Sequence, residues 1–356
     1  MTLSPEAMTR EAQRLLAAGL SLIPIRPDGS KRATRAWKRY QRKPPTAQTL
    51  ASWFQHGEGL ALICGAVSAS LEVLDFDAPE LFPPWCALVE ELCSGLLARL
   101  PLVQTPSDGR HVYHRCPSIQ GNQKLAQRLT ADGQPETTIE TRGEGGYAII
   151  PPSPPACHPL RRPYVLLRGD LAQIPTITPA ERQLLLNAAR TFHTYVTPER
   201  IVSGTRETPR ANGGERDRPG DAYTAQASWP PLLETYGWQR VGQRGEVTLW
   251  KRPGKREPGC SATTNYGGSN LLYVFSTNAH PFEAEHAYTL FAAFALLAHQ
   301  GDFTAAARKL VALGYGQPPH RQPRLPRRDP WLGPRELVHG IPLDVQRLGP
   351  EGRHGA

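Results

Sequence analysis

The stretch LEVLDFDAPE, residues 71–80, ends an apolar run with two aspartates, Asp75 and Asp77, two positions apart. Alternate side chains of a β-strand point to opposite faces, so both carboxylates would lie on one face and close together. A bound divalent cation would relieve their repulsion at neutral pH, and carboxylate oxygens are suitable ligands for it. The pair therefore indicates a metal site. The alternative is a strand that simply ends in a solvated turn.

Two later stretches carry side chains suited to binding phosphates and cations. In TPSDGRHVYHR, residues 105–115, a turn-rich loop with Ser107 and Gly109 could aim backbone N–H groups at phosphate oxygens, and His111 opens the next strand. In IETRGEGGYAIIPPS, residues 139–153, Glu140 lies just before Arg142 and a group of glycines. Taken singly, these are explained as a structural or exposed histidine and an unremarkable glutamate. The order and spacing of all three stretches are more specific.

In that order, the stretches resemble the motifs of the archaeo-eukaryotic primase superfamily, in particular the bifunctional primase-polymerase (Prim-Pol) domain of plasmids, phages and other mobile genetic elements. The family's Asp-x-Asp motif corresponds to Asp75 and Asp77, its Ser-x-His type motif to Ser107 through His111, and its final acidic residue to Glu140. The segments LIPIRPDGSKRATRAWKRYQ and RGEGGYAIIPPS are also similar to the family. The resemblance therefore covers roughly residues 8–195.

The resemblance implies DNA primase and DNA-directed DNA polymerase activity, that is, a template-directed nucleotidyltransferase that synthesises primers and extends them. It implies that Asp75, Asp77 and Glu140 are catalytic and hold two Mg²⁺ or Mn²⁺ ions for phosphoryl transfer. The candidates for binding the nucleotide triphosphate are Ser107, His111, Arg110, Arg142 and Lys31. A solvated loop lysine is the alternative for Lys31. Asp108 departs from the family, because many relatives carry glycine there, and we expect its carboxylate to point outward or cap the loop.

The implied partners are a single-stranded DNA template, a primer-template, and NTPs or dNTPs. The sequence has no Walker A pattern, so any helicase would be a separate protein. An alternative function is that of a catalytically silent DNA-binding accessory protein of replication or defence, built on the same scaffold. A zinc cluster of His114, Cys116, Cys157 and His158 is a further alternative, although its spacing matches no common zinc pattern and we expect no zinc.

The sequence predicts an α+β fold, in which a primase-type catalytic domain of mixed sheets flanked by helices precedes a smaller α+β accessory domain. Periodicity and capping residues place helices at residues 6–19, 46–56, 85–99 and 179–195. Short apolar runs predict strands at residues 20–25, 60–65, 71–77, 111–115, 137–143 and 146–153.

The predicted domains are residues 1–200 for catalysis, a polar flexible linker at 201–220, an accessory domain at 221–317, and a Pro- and Arg-rich tail at 318–356. The accessory domain is similar to primase C-terminal and zinc-ribbon domains but lacks their cysteine quartet. Its turn of residues 250–256 predicts contacts to the DNA backbone and stacking on a tryptophan, from Trp250, Lys251, Arg252, Lys255 and Arg256. A solvated hairpin with a core tryptophan is the alternative.

Composition is that of an ordinary globular protein, and its net positive charge favours a polyanionic partner. The chain has 356 residues, 39% of them apolar, and a net charge of +9. Its apolar runs are all shorter than the ~20 residues that span a bilayer, and its first residues lack a signal pattern, so we expect a cytoplasmic protein with no membrane partner. Six scattered cysteines without a Cys-x-x-Cys pair indicate reduced thiols rather than disulfides or a zinc ribbon.

Overall fold

The computed structural model describes residues 3–204, 218–265 and 268–316. The predicted tail at 318–356 and most of the predicted linker therefore lie outside the described residues. The described part is a mixed α+β structure with three sheets, which confirms the predicted fold class.

The α-helices are α1 (Pro5–Ala17), α2 (Ala47–Ala51), α3 (Phe82–Leu92), α4 (Pro179–Arg190), α5 (Pro219–Gln226), α6 (Trp229–Thr235), α7 (Leu290–His299) and α8 (Phe303–Ala312). The strands are β1 (Leu22–Ile25), β2 (Gly59–Ile63), β3 (Leu71–Phe76), β4 (Leu102–Gln104), β5 (Arg110–Arg115), β6 (Lys124–Leu129), β7 (Pro135–Arg142), β8 (Tyr147–Ile150), β9 (Val165–Arg168), β10 (Ile201–Val202), β11 (Gln239–Arg244), β12 (Val247–Lys251), β13 (Ala262–Thr264), β14 (Leu272–Val274) and β15 (His286–Tyr288).

The central sheet has the order β6-β7-β3-β5-β4-β9, and all its neighbouring strands are antiparallel. β3 lies between β7 and β5, so the strand with the Asp-x-Asp motif is flanked by the strands with the other two motifs. A small antiparallel sheet, β1-β2-β8, and a C-terminal sheet, β10-β15-β14-β13-β12-β11, complete the strands of the described residues.

Two apolar cores cover the two faces of the central sheet. Val73 and Tyr113 face one core, which also contains α1, α2 and the small sheet. Leu74 and Val112, one position along their strands, face the other core with α3 and α4. The side-chain period of two in a strand thus assigns Asp75 and His111 to the face that looks toward the small sheet.

Several helices begin at a capping side chain, whereas α3, α5 and α6 begin without a side-chain cap hydrogen bond. Thr178 begins α4 with a capping box in which Glu181 reciprocates the hydrogen bond. Three predicted helices end several residues before the predicted end, including the one expected at 179–195, which ends at Arg190. The helix expected at 46–56 ends at Ala51, because Trp53 and Phe54 leave it to enter the core. The helix expected at 85–99 runs from Phe82 to Leu92.

The α3 helix ends just before Ser94 and Gly95, which are bound by a glutamate side chain of the helix itself. The Glu90 carboxylate accepts hydrogen bonds from Ser94 Oγ at 2.6 Å and from Gly95 N at 3.0 Å.

Among the described residues, no helix has the length and apolar character needed to cross a bilayer.

Candidate active site

Antiparallel register gathers three carboxylates at the end of β3. Asp75 lies directly opposite Glu140 of β7, and Asp77 follows the strand, with its backbone N–H donating to Thr138 O at 3.0 Å. One oxygen from each of Asp75, Asp77 and Glu140 lies within 4.8 Å of the others. Asp75 is 6% exposed, whereas Asp77 is exposed at the pocket surface. The three acidic residues that the sequence singles out are therefore brought together.

Desolvation and mutual repulsion act on these carboxylates. Desolvation in the pocket and the nearby charge of Asp75 raise the pKa of Asp77. Desolvation also raises the pKa of Glu140, and the charges of Asp75 and Asp77 add to that rise while Arg142 opposes it. A group of carboxylates that is costly to ionise without a counter-charge is suited to holding a cation, and oxygen donors favour hard ions such as Mg²⁺ or Mn²⁺.

Arg142 supplies part of that counter-charge. Its Nη2 lies 3.0 Å from Asp75 Oδ2 and 2.5 Å from Glu140 Oε1, and its Nε donates to the same Asp75 oxygen at 3.2 Å. Burial alone would raise the pKa of Asp75, but the charges of and hydrogen bonds from His111 and Arg142 lower it to about 2. Arg142 thus contacts the acidic group itself. Its predicted contact with a triphosphate stays a prediction.

His111 completes a row of side chains across three strands. It lies opposite Asp75 on β5, so Glu140, Asp75 and His111 follow one another across the sheet. Its Nε2 is 3.3 Å from Asp75 Oδ1, and its Nδ1 is 3.1 Å from the Tyr113 hydroxyl. The histidine of the second motif is therefore held at the carboxylates by partners on both ring nitrogens.

The loop before His111 is a closed turn beside this row. Thr105 N donates to Gly109 O at 3.0 Å, and Asp108 N donates to Thr105 O at 3.0 Å. A Cβ atom at Gly109 would lie 2.2 Å from the carbonyl oxygen of Phe76, so only glycine permits this approach to the end of β3. Ser107 and Thr105 line the pocket together with Asp75 and Asp77.

Asp108 and Arg110 lie outside the pocket. The Asp108 carboxylate accepts from Arg162 Nη2 at 2.8 Å and from Gln104 Nε2 at 2.8 Å, so it points outward as predicted. Arg110 donates to the carbonyl oxygen of Gly109 and lies over the ring of Phe82 on the opposite sheet face. The prediction that Arg110 binds the triphosphate does not fit this position, because adjacent residues of a strand face opposite sides.

The pocket has a volume of about 410 Å³ and lies between the central and small sheets. Lys31, predicted as a candidate, lines it. The aromatic and polar lining residues also include Trp37, Asn122, Tyr147 and Tyr164, which were not predicted as site residues, and His158, which was named only for the alternative zinc cluster. Trp37, Tyr147 and Tyr164 lie in segments that carry the family resemblance, whereas Asn122 lies outside those segments.

Of the predicted DNA-binding turn at residues 250–256, the tryptophan is buried and two lysines contact backbone carbonyls. Trp250 is 0% exposed and its Nε1 donates to Thr264 Oγ1 at 2.9 Å, so the prediction that bases stack on it is wrong for this conformation. It is buried because β12 is an interior strand whose tryptophan faces a core with α6 and α7. Two neighbouring lysines donate to backbone carbonyls, Lys251 to Arg256 and Lys255 to Cys260. Backbone contacts by Lys251, Arg252, Lys255 and Arg256 stay a prediction.

The alternative zinc cluster is not assembled in the described residues. His114 Nε2 is 3.1 Å from Glu72 Oε2, on the sheet face opposite Asp75. Cys116 and Cys157 belong to different apolar cores. The acidic group of Asp75, Asp77 and Glu140 is the one cluster of potential metal ligands found in the described parts of the chain.

Comparison with known protein families gives one match that contains the whole pocket. Residues 12–180 match the family model described as bifunctional DNA primase/polymerase, N-terminal. A short second match, of residues 313–337 to the RBM1CTR (NUC064) family, falls mostly outside the described residues. No curated protein matches the chain.

Proposed function

Because residues 12–180 belong to the bifunctional DNA primase/polymerase (Prim-Pol) family, we propose that this chain is a template-directed nucleotidyltransferase that synthesises primers and extends them on DNA. One observation carries the proposal. Oxygens of Asp75, Asp77 and Glu140 converge within 4.8 Å, Asp75 and Asp77 line the same pocket as Ser107 and His111, and the matched region contains all five residues.

The three carboxylates would hold divalent cations, Mg²⁺ or Mn²⁺. The donor set fits this role, because it consists of converging oxygens and two of its members have raised pKa values in the absence of a cation. When bound, such ions neutralise triphosphate charge and stabilise the attacking and leaving oxygens.

The second motif would bind the incoming nucleotide. Ser107 lies in a closed turn at the pocket, so its hydroxyl can donate to a phosphate oxygen near the carboxylates, whereas His111 would exchange its contact with Asp75 for one with a phosphate. Lys31 adds a positive charge from the other side of the pocket. The primer hydroxyl would then attack the α-phosphorus while the bond to pyrophosphate breaks, so no protein nucleophile is required.

Primer extension by the purified chain on a labelled primer-template, with Mg²⁺ or Mn²⁺, tests the proposal. We expect extension by the wild type and loss of at least about a thousandfold in the Asp75→Asn, Asp77→Asn double variant, because its amide side chains cannot replace two anionic ligands. Asp132→Asn, in an exposed turn, is the matched control and should keep wild-type activity. Extension by a folded double variant would refute the assignment of the carboxylates.

The same assay addresses the alternative function. A wild-type chain that binds single-stranded DNA but incorporates no nucleotide with either metal would support a catalytically silent accessory protein. The complete acidic group argues against that outcome, because repelling carboxylates beside a DNA path would weaken DNA binding unless they hold cations.

A further inference from the structure

A basic segment, defined as residues 26–43, lies next to the pocket. It contains eight cations and one carboxylate, that of Asp28, and so has a net charge of +7 against +9 for the whole chain. All eight cationic residues are exposed; they are Arg26, Lys31, Arg32, Arg35, Lys38, Arg39, Arg42 and Lys43. Most of the protein's excess positive charge is therefore concentrated in 18 consecutive residues.

Carboxylates do not neutralise this charge. None of the eight cations forms an ion pair within 4.0 Å with a carboxylate of the described residues, whereas Arg14, Arg128, Arg162 and Arg200 elsewhere on the surface all do. The side-chain contacts of Arg26 and Arg39 are with uncharged oxygens, the carbonyl of Ala33 and the hydroxyl of Tyr40. The segment therefore presents an uncompensated positive field to solvent.

The segment is fixed against the wall of the pocket. Its first half is closed by hydrogen bonds from Arg26 N to Arg32 O at 2.9 Å and from Thr34 N to Pro24 O at 3.0 Å. The Tyr147 hydroxyl donates to Lys31 O at 3.0 Å, and Gln41 Nε2 donates to Gly145 O at 2.7 Å. These contacts hold the cations in a defined position relative to the acidic group.

Trp37 connects the segment to the pocket interior. It lines the pocket, is half-buried, and meets the ring of Tyr147 edge-on with ring centroids 5.1 Å apart. An aromatic surface beside cations is the combination on which single-stranded nucleic acids bind, since bases stack on rings while phosphates contact the charges.

We infer that the basic segment binds the phosphates of a single DNA strand and guides the template into the pocket. This inference rests on the proposed function and names the surface that its DNA partner uses. A strand fits better than a single nucleotide, because Lys31 alone of the eight cations lines the pocket. A nucleotide bound there leaves the other seven unused, whereas a strand that runs out of the pocket passes over them.

The test compares two variants that remove the same charge. In the first, Lys38→Gln, Arg42→Gln and Lys43→Gln remove three cations of the segment outside the pocket. In the matched control, Arg10→Gln, Arg308→Gln and Lys309→Gln remove three exposed cations from α1 and α8. The affinity for a labelled single-stranded oligonucleotide is measured across a salt series in EDTA, where no nucleotide transfer occurs.

We expect the segment variant to bind the oligonucleotide at least about tenfold more weakly at low salt. The slope of log affinity against log salt should fall in magnitude by about 2, because each lost phosphate contact with a single strand removes about 0.7. The control should stay within about twofold of the wild type. Equal weakening in both variants would reduce the effect to net charge and overturn the inference, as would an unchanged slope in the segment variant.

Two further measurements separate this inference from the proposed function and from misfolding. Ultraviolet crosslinking of a bromodeoxyuridine oligonucleotide to the wild-type full chain should label a peptide within residues 26–43, and labelling confined to other peptides would contradict the inference. If the wild-type chain extends primers but crosslinks only outside residues 26–43, the inference is refuted and the proposed function stands. If the chain crosslinks within residues 26–43 but transfers no nucleotide, the binding surface stands and the proposed enzymatic function is refuted.

Discussion

At the scale of single residues, Arg142 holds the acidic group together before any cation binds. It contacts two of the three carboxylates, and with His111 it outweighs the effect of burial on Asp75. A guanidinium within 3.0 Å of two ligand oxygens also repels a metal ion that approaches the same oxygens. We therefore expect Arg142 to stabilise the carboxylates without a cation and to lower their affinity for a metal ion.

We predict that Arg142→Gln binds Mn²⁺ more tightly than the wild type, by about tenfold, because a positive charge next to the ligands is removed. Titration of Mn²⁺ followed by electron paramagnetic resonance measures this affinity directly. Arg162→Gln is the control, since Arg162 pairs with the outward-facing Asp108, and it should leave the affinity unchanged. Unchanged or weaker Mn²⁺ binding by Arg142→Gln would show that the arginine does not compete with the ion.

At the scale of elements, a buried ionic cluster joins β3 and β5 to α4 behind the acidic group. Arg182 of α4 donates from Nε and Nη2 to the two Glu72 oxygens at 2.6 and 2.8 Å, and His114 contacts the same carboxylate. Glu72 and His114 are 0% exposed and Arg182 is 5% exposed. Since Glu72 and Asp75 lie on one strand, this cluster fixes the strand that carries the first motif.

We predict that Arg182→Met lowers the free energy of unfolding by about 3–5 kcal/mol at pH 7, because it leaves Glu72 charged and buried without its main partner. Replacing both partners, with Glu72→Leu and Arg182→Met, should cost less than the single change. Urea unfolding followed by circular dichroism measures both variants. A double variant that is less stable than the single one would contradict this account.

The difference in the free energy of unfolding between the wild type and Arg182→Met should depend on pH. Burial alone would raise the pKa of Glu72, but hydrogen bonds and charges from His114 and Arg182 lower it below 4.5. The ionised carboxylate therefore stabilises the wild type above about pH 4.5, and this contribution is lost as the pH falls through the folded-state pKa. The difference in the free energy of unfolding between the wild type and Arg182→Met should therefore become smaller as the pH falls below about 4.5.

At the scale of the whole molecule, the C-terminal sheet and the central sheet share one apolar core. Leu184 and Leu185 of α4 lie in the same cluster as Leu249, Tyr273 and Phe275 of the C-terminal region. The strand at residues 201–202 pairs with β15, so the chain joins the C-terminal sheet directly after the predicted boundary at residue 200. The division into catalytic and accessory domains stays a prediction, and its two parts are packed together.

His193 makes this junction sensitive to acid. Its ring stacks on Tyr273 at 5.0 Å, its Nδ1 accepts from Gln127 N at 3.0 Å, and the charges of Glu285 and Arg200 act on it in opposite directions. Burial lowers its pKa from 6.5 to about 4. Below pH 6.5 the unfolded chain takes up a proton that the folded chain does not, so stability is lost as the pH falls toward 4.

Between pH 7.5 and pH 5 the free energy of unfolding should fall by about 2 kcal/mol less in His193→Gln than in the wild type. Urea unfolding at both pH values measures this difference. The exposed His56→Gln is the control and should retain the wild-type pH dependence. Identical pH profiles for wild type and His193→Gln would show that the histidine is protonated equally in both states.

The sequence by itself determined the family and the acidic residues, because those depend on local order. The family match over residues 12–180 confirms the predicted family, and the roles of the motif residues stay a prediction. A strand period of two places Asp75 and Asp77 on one side, and the capping residues Thr46 and Thr178 begin the helices that follow them. Each motif and each cap uses residues within a few positions of one another, and the family inference adds only the order and spacing of the motifs along the chain.

Tertiary structure alone decided which distant residues meet. The register of β3 with β7 and β5 sets Glu140 and His111 beside Asp75, turns Arg110 to the other face, and brings Arg142 onto the carboxylates. Sheet order buries Trp250, and loop packing brings Asn122 and Tyr164 into the pocket. The physical reason is that alternation along a strand is local, whereas strand register and neighbour order are fixed by the packing of both faces of the sheet, to which residues far apart in the chain contribute.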